Sequence, residues 1–135
     1  MALLRLGDTM RGRPLTAREA REAVRSLLRQ YTGPLTATAE QDCVIVASEL
    51  VSNALAHAGG VTAFIAALLD GHLEITVCDA VSAGPDQTDV RAGLGGGHGW
   101  KVVNAACGIV TVTRPRTGGK RIRGHIALTT GATPL

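Results

Sequence analysis

Aromatic residues are nearly absent: Tyr31, Phe64 and Trp100 account for 2% of the 135 residues. A core built from this chain must pack Val, Leu, Ile and many Ala, which requires close approach of its elements. Long apolar runs are absent as well. The longest, Ala63 to Leu69, falls far below the roughly 20 residues that cross a bilayer. The opening Met-Ala-Leu-Leu-Arg-Leu lacks the apolar core of a signal peptide. A soluble, cytoplasmic protein with no membrane partner is therefore expected. The three cysteines, Cys43, Cys78 and Cys107, are odd in number, far apart and outside any C-x-x-C pair, which argues against a disulfide scaffold, a zinc ribbon or a thioredoxin-type site. They read as buried reduced thiols. A large net charge is missing too: 14 Lys plus Arg stand against 11 Asp plus Glu, a net +3, too little by itself to mark a nucleic-acid or membrane-surface protein.

What is present is a 45% hydrophobic chain of a length that fits one domain over residues 1–135. Such a chain buries roughly two-thirds of its extended surface on folding without help from disulfides or metals. Leu3 to Leu6 reads as a short strand, followed by a break at Arg11 to Pro14. Thr16 and Glu19 form a capping box for a first helix, in which Ala20, Val24, Leu27, Leu28 and Tyr31 recur at helical spacing until Gly33-Pro34. A second, longer helix is expected from Thr38, with Gln41 three residues on, to about Ala58, stopping at Gly59-Gly60. Val61 to Leu69 and His72 to Cys78 read as strands joined at Asp70-Gly71, a two-residue hairpin signal.

From Val81 to His98 the periodicity disappears and Gly, Pro, Ser and Asp accumulate. A loop of that length in a compact domain is usually functional, and a lid is the expectation. Trp100 to Ala106 then reads as a short helix, and Ile109 to Thr113 and Arg121 to Leu128 as an antiparallel pair. The order β-α-α-β-β-α-β-β predicts an α+β fold: a two-layer α/β sandwich with a mostly antiparallel mixed sheet and its helices on one face.

Three features could carry chemistry. Glu49, Asn53 and His57 stand four residues apart on the second helix, within roughly 80° of one face at 3.6 residues per turn. A carboxylate can take a proton, an amide oxygen suits a hard cation such as Mg²⁺, and an imidazole can donate to a phosphate. Gly93-Leu-Gly-Gly-Gly-His-Gly-Trp precedes a helix, an arrangement that lets backbone N–H groups meet an anion. It is neither a Walker loop, having no Gly-Lys-Ser/Thr, nor a dinucleotide fingerprint. Asp79 ends a strand just where the loop begins, and its acceptor-only carboxylate could bind an exocyclic amine such as that of adenine. Taken singly, the three have plain alternatives: a solvated polar stripe, a glycine-based turn, and an Asp that ends a strand.

Together they resemble a known family. Ser48-Glu-Leu-Val-Ser-Asn-Ala-Leu-Ala-His-Ala is similar to the N box, Val77-Cys-Asp-Ala to the adenine-binding box, and Gly97-His-Gly-Trp-Lys-Val-Val to the glycine box of the GHKL superfamily of ATP-binding domains. The resemblance runs from about Leu3 to Leu128 and is closest to the anti-sigma-factor serine/threonine kinase branch of these histidine-kinase-like ATPases. It implies a Bergerat-type fold binding ATP or ADP with Mg²⁺. Glu49 would be the general base and Asn53 the Mg²⁺ ligand. His57 would lie near the phosphates, Asp79 would bind the adenine amine, and the amides around Gly95, Gly97 and Gly99 would cradle the phosphate chain. The sequence departs from the pattern at Val81, where relatives often have Gly, at His98, where they often have Arg, and at Trp100, where Leu is usual.

The implied partners are a sigma factor and an anti-anti-sigma-type antagonist protein that is phosphorylated on serine or threonine, with homodimerisation left open. A non-catalytic, nucleotide-dependent interaction module is the rival reading. A third starts from the basic cluster Arg114, Arg116, Lys120, Arg121 and Arg123, which could face nucleic acid. No aromatic side chain stands among them to stack on bases, so a solvated hairpin is favoured over nucleic-acid binding.

Overall fold

The computed structural model describes residues 2–6, 15–57, 60–80, 98–116 and 118–131. The first strand, β1, is Ala2–Leu6. Helix α1, Ala17–Leu28, opens on the expected capping box: Thr16 Oγ1 accepts from the Glu19 N–H while the Glu19 carboxylate accepts from the Thr16 N–H. It buries Ala20, Val24, Leu27 and Leu28. The helix stops short of Gly33-Pro34, with Arg29 as C-cap. Tyr31 leaves the helical path and lays its ring against Gly33, where any side chain would overlap it.

Helix α2, Ala37–His57, also differs in its start. Its cap is Thr36 rather than Thr38: Thr36 Oγ1 accepts from the Ala39 N–H. The same threonine donates its N–H to the Leu128 carbonyl and its hydroxyl to that of Thr130. That clasp to the far end of the chain selects Thr36 over a residue two positions later. Ala58 and Gly59, where the helix was expected to stop, lie outside the described residues.

Strands β2 (Ala63–Leu69) and β3 (His72–Asp79) form a hairpin through Asp70-Gly71. Gly71 has φ +74° and no described non-glycine residue has positive φ, a pattern of type II rather than type I′, which needs both central residues there. Helix α3 is His98–Ala106, β4 is Ile109–Thr113 and β5 is Lys120–Ala127. The sheet order is β1-β2-β3-β5-β4, and all four pairings are antiparallel. No parallel neighbour of the kind a mixed sheet contains occurs among the described residues. Helix α2 packs on β3 and β5, α1 on α2 and over β1 and β2, and α3 on α2. The expected two-layer α+β sandwich is thus the observed architecture.

The core lies between the layers. Phe64 is the one fully buried aromatic among the described residues, in one cluster with Leu50, Leu73, Ile75, Ile126 and Leu128, each worth at most about 1.5–3 kcal/mol of burial. The scarcity of aromatics is met by close approach: a Cβ at Gly124 of β5 would stand 2.9 Å from Cys107 Sγ and 3.9 Å from Val46 Cγ1. All three cysteines are free thiols, Cys43 and Cys107 buried and Cys78 partly so. Burial, reinforced by the charge of Asp42, pushes the Cys43 thiol up to about 12 and Cys107 to about 11. On the other sheet face, Glu74 lies 3.3 Å from His125 Nε2 and 3.8 Å from Arg123 Nε, and Arg123 donates to Thr76 Oγ1. No described helix is long and apolar enough to cross a membrane.

Candidate functional site

Helix α2 sets the first part of the site. Its buried face runs through Cys43, Val46, Ala47, Leu50, Val51 and Ala54, which fixes the rotation of the helix and with it the direction of Glu49 and Asn53. Glu49 is half-buried and its carboxylate meets the first turn of α3: a Cβ on Gly99 would stand 2.5 Å from Glu49 Oε2 and 3.5 Å from Cδ. Only glycine leaves room for that approach. The first N–H groups of a helix lack intrahelical acceptors and carry partial positive charge, so a carboxylate is well placed there. The structure therefore brings together one residue of the N-box-like segment and one of the glycine-rich segment. Next to Glu49, Ser48 Oγ accepts a 2.9 Å bond from Arg21 of α1, a tie that helical spacing alone did not reveal.

Asn53, one turn beyond Glu49, is 8% exposed, yet its Nδ2 finds no hydrogen-bond partner among the described residues. A buried amide left unpaired costs about 1–3 kcal/mol, so the position is expensive unless something else completes it. Turning the amide by 180° would present its oxygen to the same spot. This donor suits a magnesium ion, which usually takes one or two side-chain oxygens and completes its shell with phosphate and water. No cluster of three His, Cys, Asp or Glu that could hold a metal by itself occurs among the described residues. His57 is the last residue of α2, and its side chain lies outside the described residues.

Asp79 closes β3 and is 6% exposed. It continues the row Leu73, Ile75, Val77, since alternate residues of a strand share a face, and so lies on the face that the helical layer covers. Its Oδ2 lies 3.4 Å from Lys120 Nζ. The sequence reading missed this partner because it begins the last strand at Arg121, one residue after its observed start. The signal was available: the strand alternation extended one residue back puts Lys120 on the apolar side with Ile122, Gly124 and Ile126. Gly95, Gly97 and the expected lid up to residue 97 lie outside the described residues, as do the side chains of His98 and Trp100.

The basic cluster is partly spent within the molecule. Lys120 pairs with Asp79, and Arg123 pairs with Glu74, while Arg116 and Arg121 are exposed. Compared with protein-family models and with curated proteins, the chain matches none.

Proposed function

We propose that this chain is a nucleotide-binding regulatory protein whose site lies between α2, the start of α3 and the end of β3. More particularly, we read it as an anti-sigma-factor-like serine/threonine kinase of the GHKL type, using Mg²⁺-ATP to phosphorylate an antagonist protein. The observation that carries this reading is the buried Nδ2 of Asn53, without a hydrogen-bond partner among the described residues, one turn from a carboxylate that abuts a glycine at a helix start. Phosphoryl transfer asks a protein mainly for positioning and charge neutralisation; these residues would supply the positioning and a metal ion the neutralisation. Asn53 would hold Mg²⁺, which when bound neutralises the phosphates. Glu49 would take the proton of the acceptor hydroxyl as its oxygen bonds to the γ-phosphorus and the bond to the β,γ-bridging oxygen breaks, leaving ADP. Asp79 would accept the adenine amine.

Incubation with γ-labelled ATP and candidate antagonist proteins, beside Glu49→Gln, tests the proposal. Label transferred by the parent and not by the variant supports it; nucleotide binding with no transfer to any antagonist rejects the kinase half. One observation favours the non-catalytic module instead: Glu49 is already lodged against the first turn of α3, a position in which a carboxylate serves helix stability without acting as a base. The nucleic-acid reading is weakened by the carboxylate partners of Lys120 and Arg123.

A further inference from the structure

Directly across the ladder from Asp79 stands Lys120, the first residue of β5. Its Nζ lies 3.4 Å from Asp79 Oδ2, and both side chains are largely withdrawn from water, at 15% and 3% exposure. Directly opposed residues of an antiparallel pair share a face, and here it is the helix side. The row Leu73, Ile75, Val77 leads to Asp79, and the row Ile126, Gly124, Ile122 leads to Lys120. Two apolar rows thus end, side by side, in one anion and one cation. Backbone geometry holds them together as well as charge. Gly119 has φ +84°, and a side chain on it would overlap the main-chain carbonyl of Asp79, so the turn before β5 is pressed onto the end of β3.

Stability alone is a poor reason for a desolvated ion pair, because well-packed apolar side chains generally serve as well. What the pair supplies is an acceptor fixed beside a donor. Resting on the adenine-site reading above, we infer that Lys120 is a specificity-determining residue of the base subsite: Asp79 accepts from the exocyclic amine while Lys120 Nζ donates to the adjacent ring nitrogen, N1. A carboxylate offers about four lone-pair sites and an ammonium three donors, so each can serve the other and the base at once. Adenine presents a donor next to an acceptor along this edge. Hypoxanthine presents a carbonyl next to an N–H, the reverse order. In the same pose it sets acceptor against carboxylate and donor against ammonium, which rejects it by repulsion as well as by lost bonds. The subsite reads two atoms of the base rather than one.

The test measures dissociation constants of ADP, 1-deaza-ADP (a C–H in place of N1) and IDP for the full chain, wild type and Lys120→Met. Wild type should bind 1-deaza-ADP about tenfold or more weaker than ADP, and IDP weaker still. Lys120→Met should lose about tenfold for ADP yet bind ADP and 1-deaza-ADP within about twofold of each other. A merely structural lysine would weaken both ligands in parallel and leave their ratio unchanged. Removing the lysine leaves Asp79 buried without it, so should the variant not fold, Asp79→Asn/Lys120→Met carries the comparison, with the same convergence of ADP and 1-deaza-ADP expected. Equal binding of these two ligands by the wild type overturns the role of Lys120 while leaving a nucleotide site in place. Failure of the wild type to bind ADP at all overturns the adenine-site reading with it.

Discussion

A methyl group added at Gly99 tests whether Glu49 is lodged where α2 and α3 meet. Built on the backbone, it would stand 2.5 Å from Glu49 Oε2, about 1 Å inside the optimal non-bonded separation. The obstructing atom is the end of a flexible side chain, so the strain is relieved by turning Glu49 rather than by moving a helix. An off-rotamer side chain costs about 0.5–1.5 kcal/mol, and drawing the carboxylate away from the helix start gives up about 0.3–1 kcal/mol more. Against this, alanine is a better helix former than glycine by about 0.8–1 kcal/mol. The opposing contributions offset each other in part, and Gly99→Ala alone should shift stability by less than about 2 kcal/mol. The coupling is the informative quantity. With Glu49→Ala already in place nothing obstructs the methyl group, and the same substitution should stabilise by up to about 1 kcal/mol. Urea unfolding of the parent, both single variants and the double variant should therefore give a coupling of about 1–2 kcal/mol. Additivity within about 0.5 kcal/mol would refute the contact, and with it the juxtaposition on which the site rests.

Glu49→Gln should keep nucleotide affinity while abolishing label transfer, since an amide preserves shape but cannot take a proton at neutral pH; equal transfer rates would remove Glu49 from the chemistry. Mg²⁺-ADP at a hundredfold excess over Kd should stabilise the wild type by about 2.7 kcal/mol, seen as a higher melting temperature. Asn53→Ala should lose most of the metal-dependent part, with nucleotide-free stability within about 1 kcal/mol of the parent because deleting an Nδ2 that has no partner among the described residues offsets lost packing. In the native protein an exposed-thiol reagent should modify Cys78 first, with Cys43 and Cys107 reacting only in denaturant. The two buried thiols also predict a pH dependence of unfolding. Their folded pKa values of about 12 and about 11 lie above the ordinary 9.0, so above pH 9.0 the unfolded chain releases protons that the folded one retains. Stability should be fully present below that pH and fall as pH rises toward about 11–12, and Cys43→Ala should flatten the slope.

How far the sequence carries depends on whether the deciding partner is local. The Thr16–Glu19 capping box and the Asp70-Gly71 hairpin involve neighbours three residues apart or fewer, and both are as read. Among the described residues so are the element order and the two-layer arrangement, because strand alternation and helical spacing report which face is buried. The start of α2 escaped the reading because Thr36 and Thr38 are equally good caps in isolation, and the choice rests on hydrogen bonds to Leu128 and Thr130 at the other end of the chain. The end of α1 escaped it because Tyr31 exchanges helical geometry for packing on Gly33. Within the site, the candidacy of Glu49, Asn53 and Asp79 was legible from residue type and spacing. Burial of Asn53 Nδ2 without a partner among the described residues, the meeting of Glu49 with Gly99 and the ion pair of Asp79 with Lys120 were not, since each is settled by where distant segments cross.

The strand order has a consequence for how the protein acquires its site. The hairpin of β2 and β3 can form from adjacent sequence, whereas β3 meets β5 only after a segment of about forty residues has been closed into a loop, an entropic step that slows folding. Asp79 and Lys120 sit at the mouth of that loop, so their pairing is delayed until closure. A ligand that needs both has no target in a partly folded chain. It should leave the refolding rate nearly untouched and act on the other limb, slowing unfolding by holding the loop shut. Nucleotide would then guard a finished protein against opening rather than guide an unfinished one to its fold.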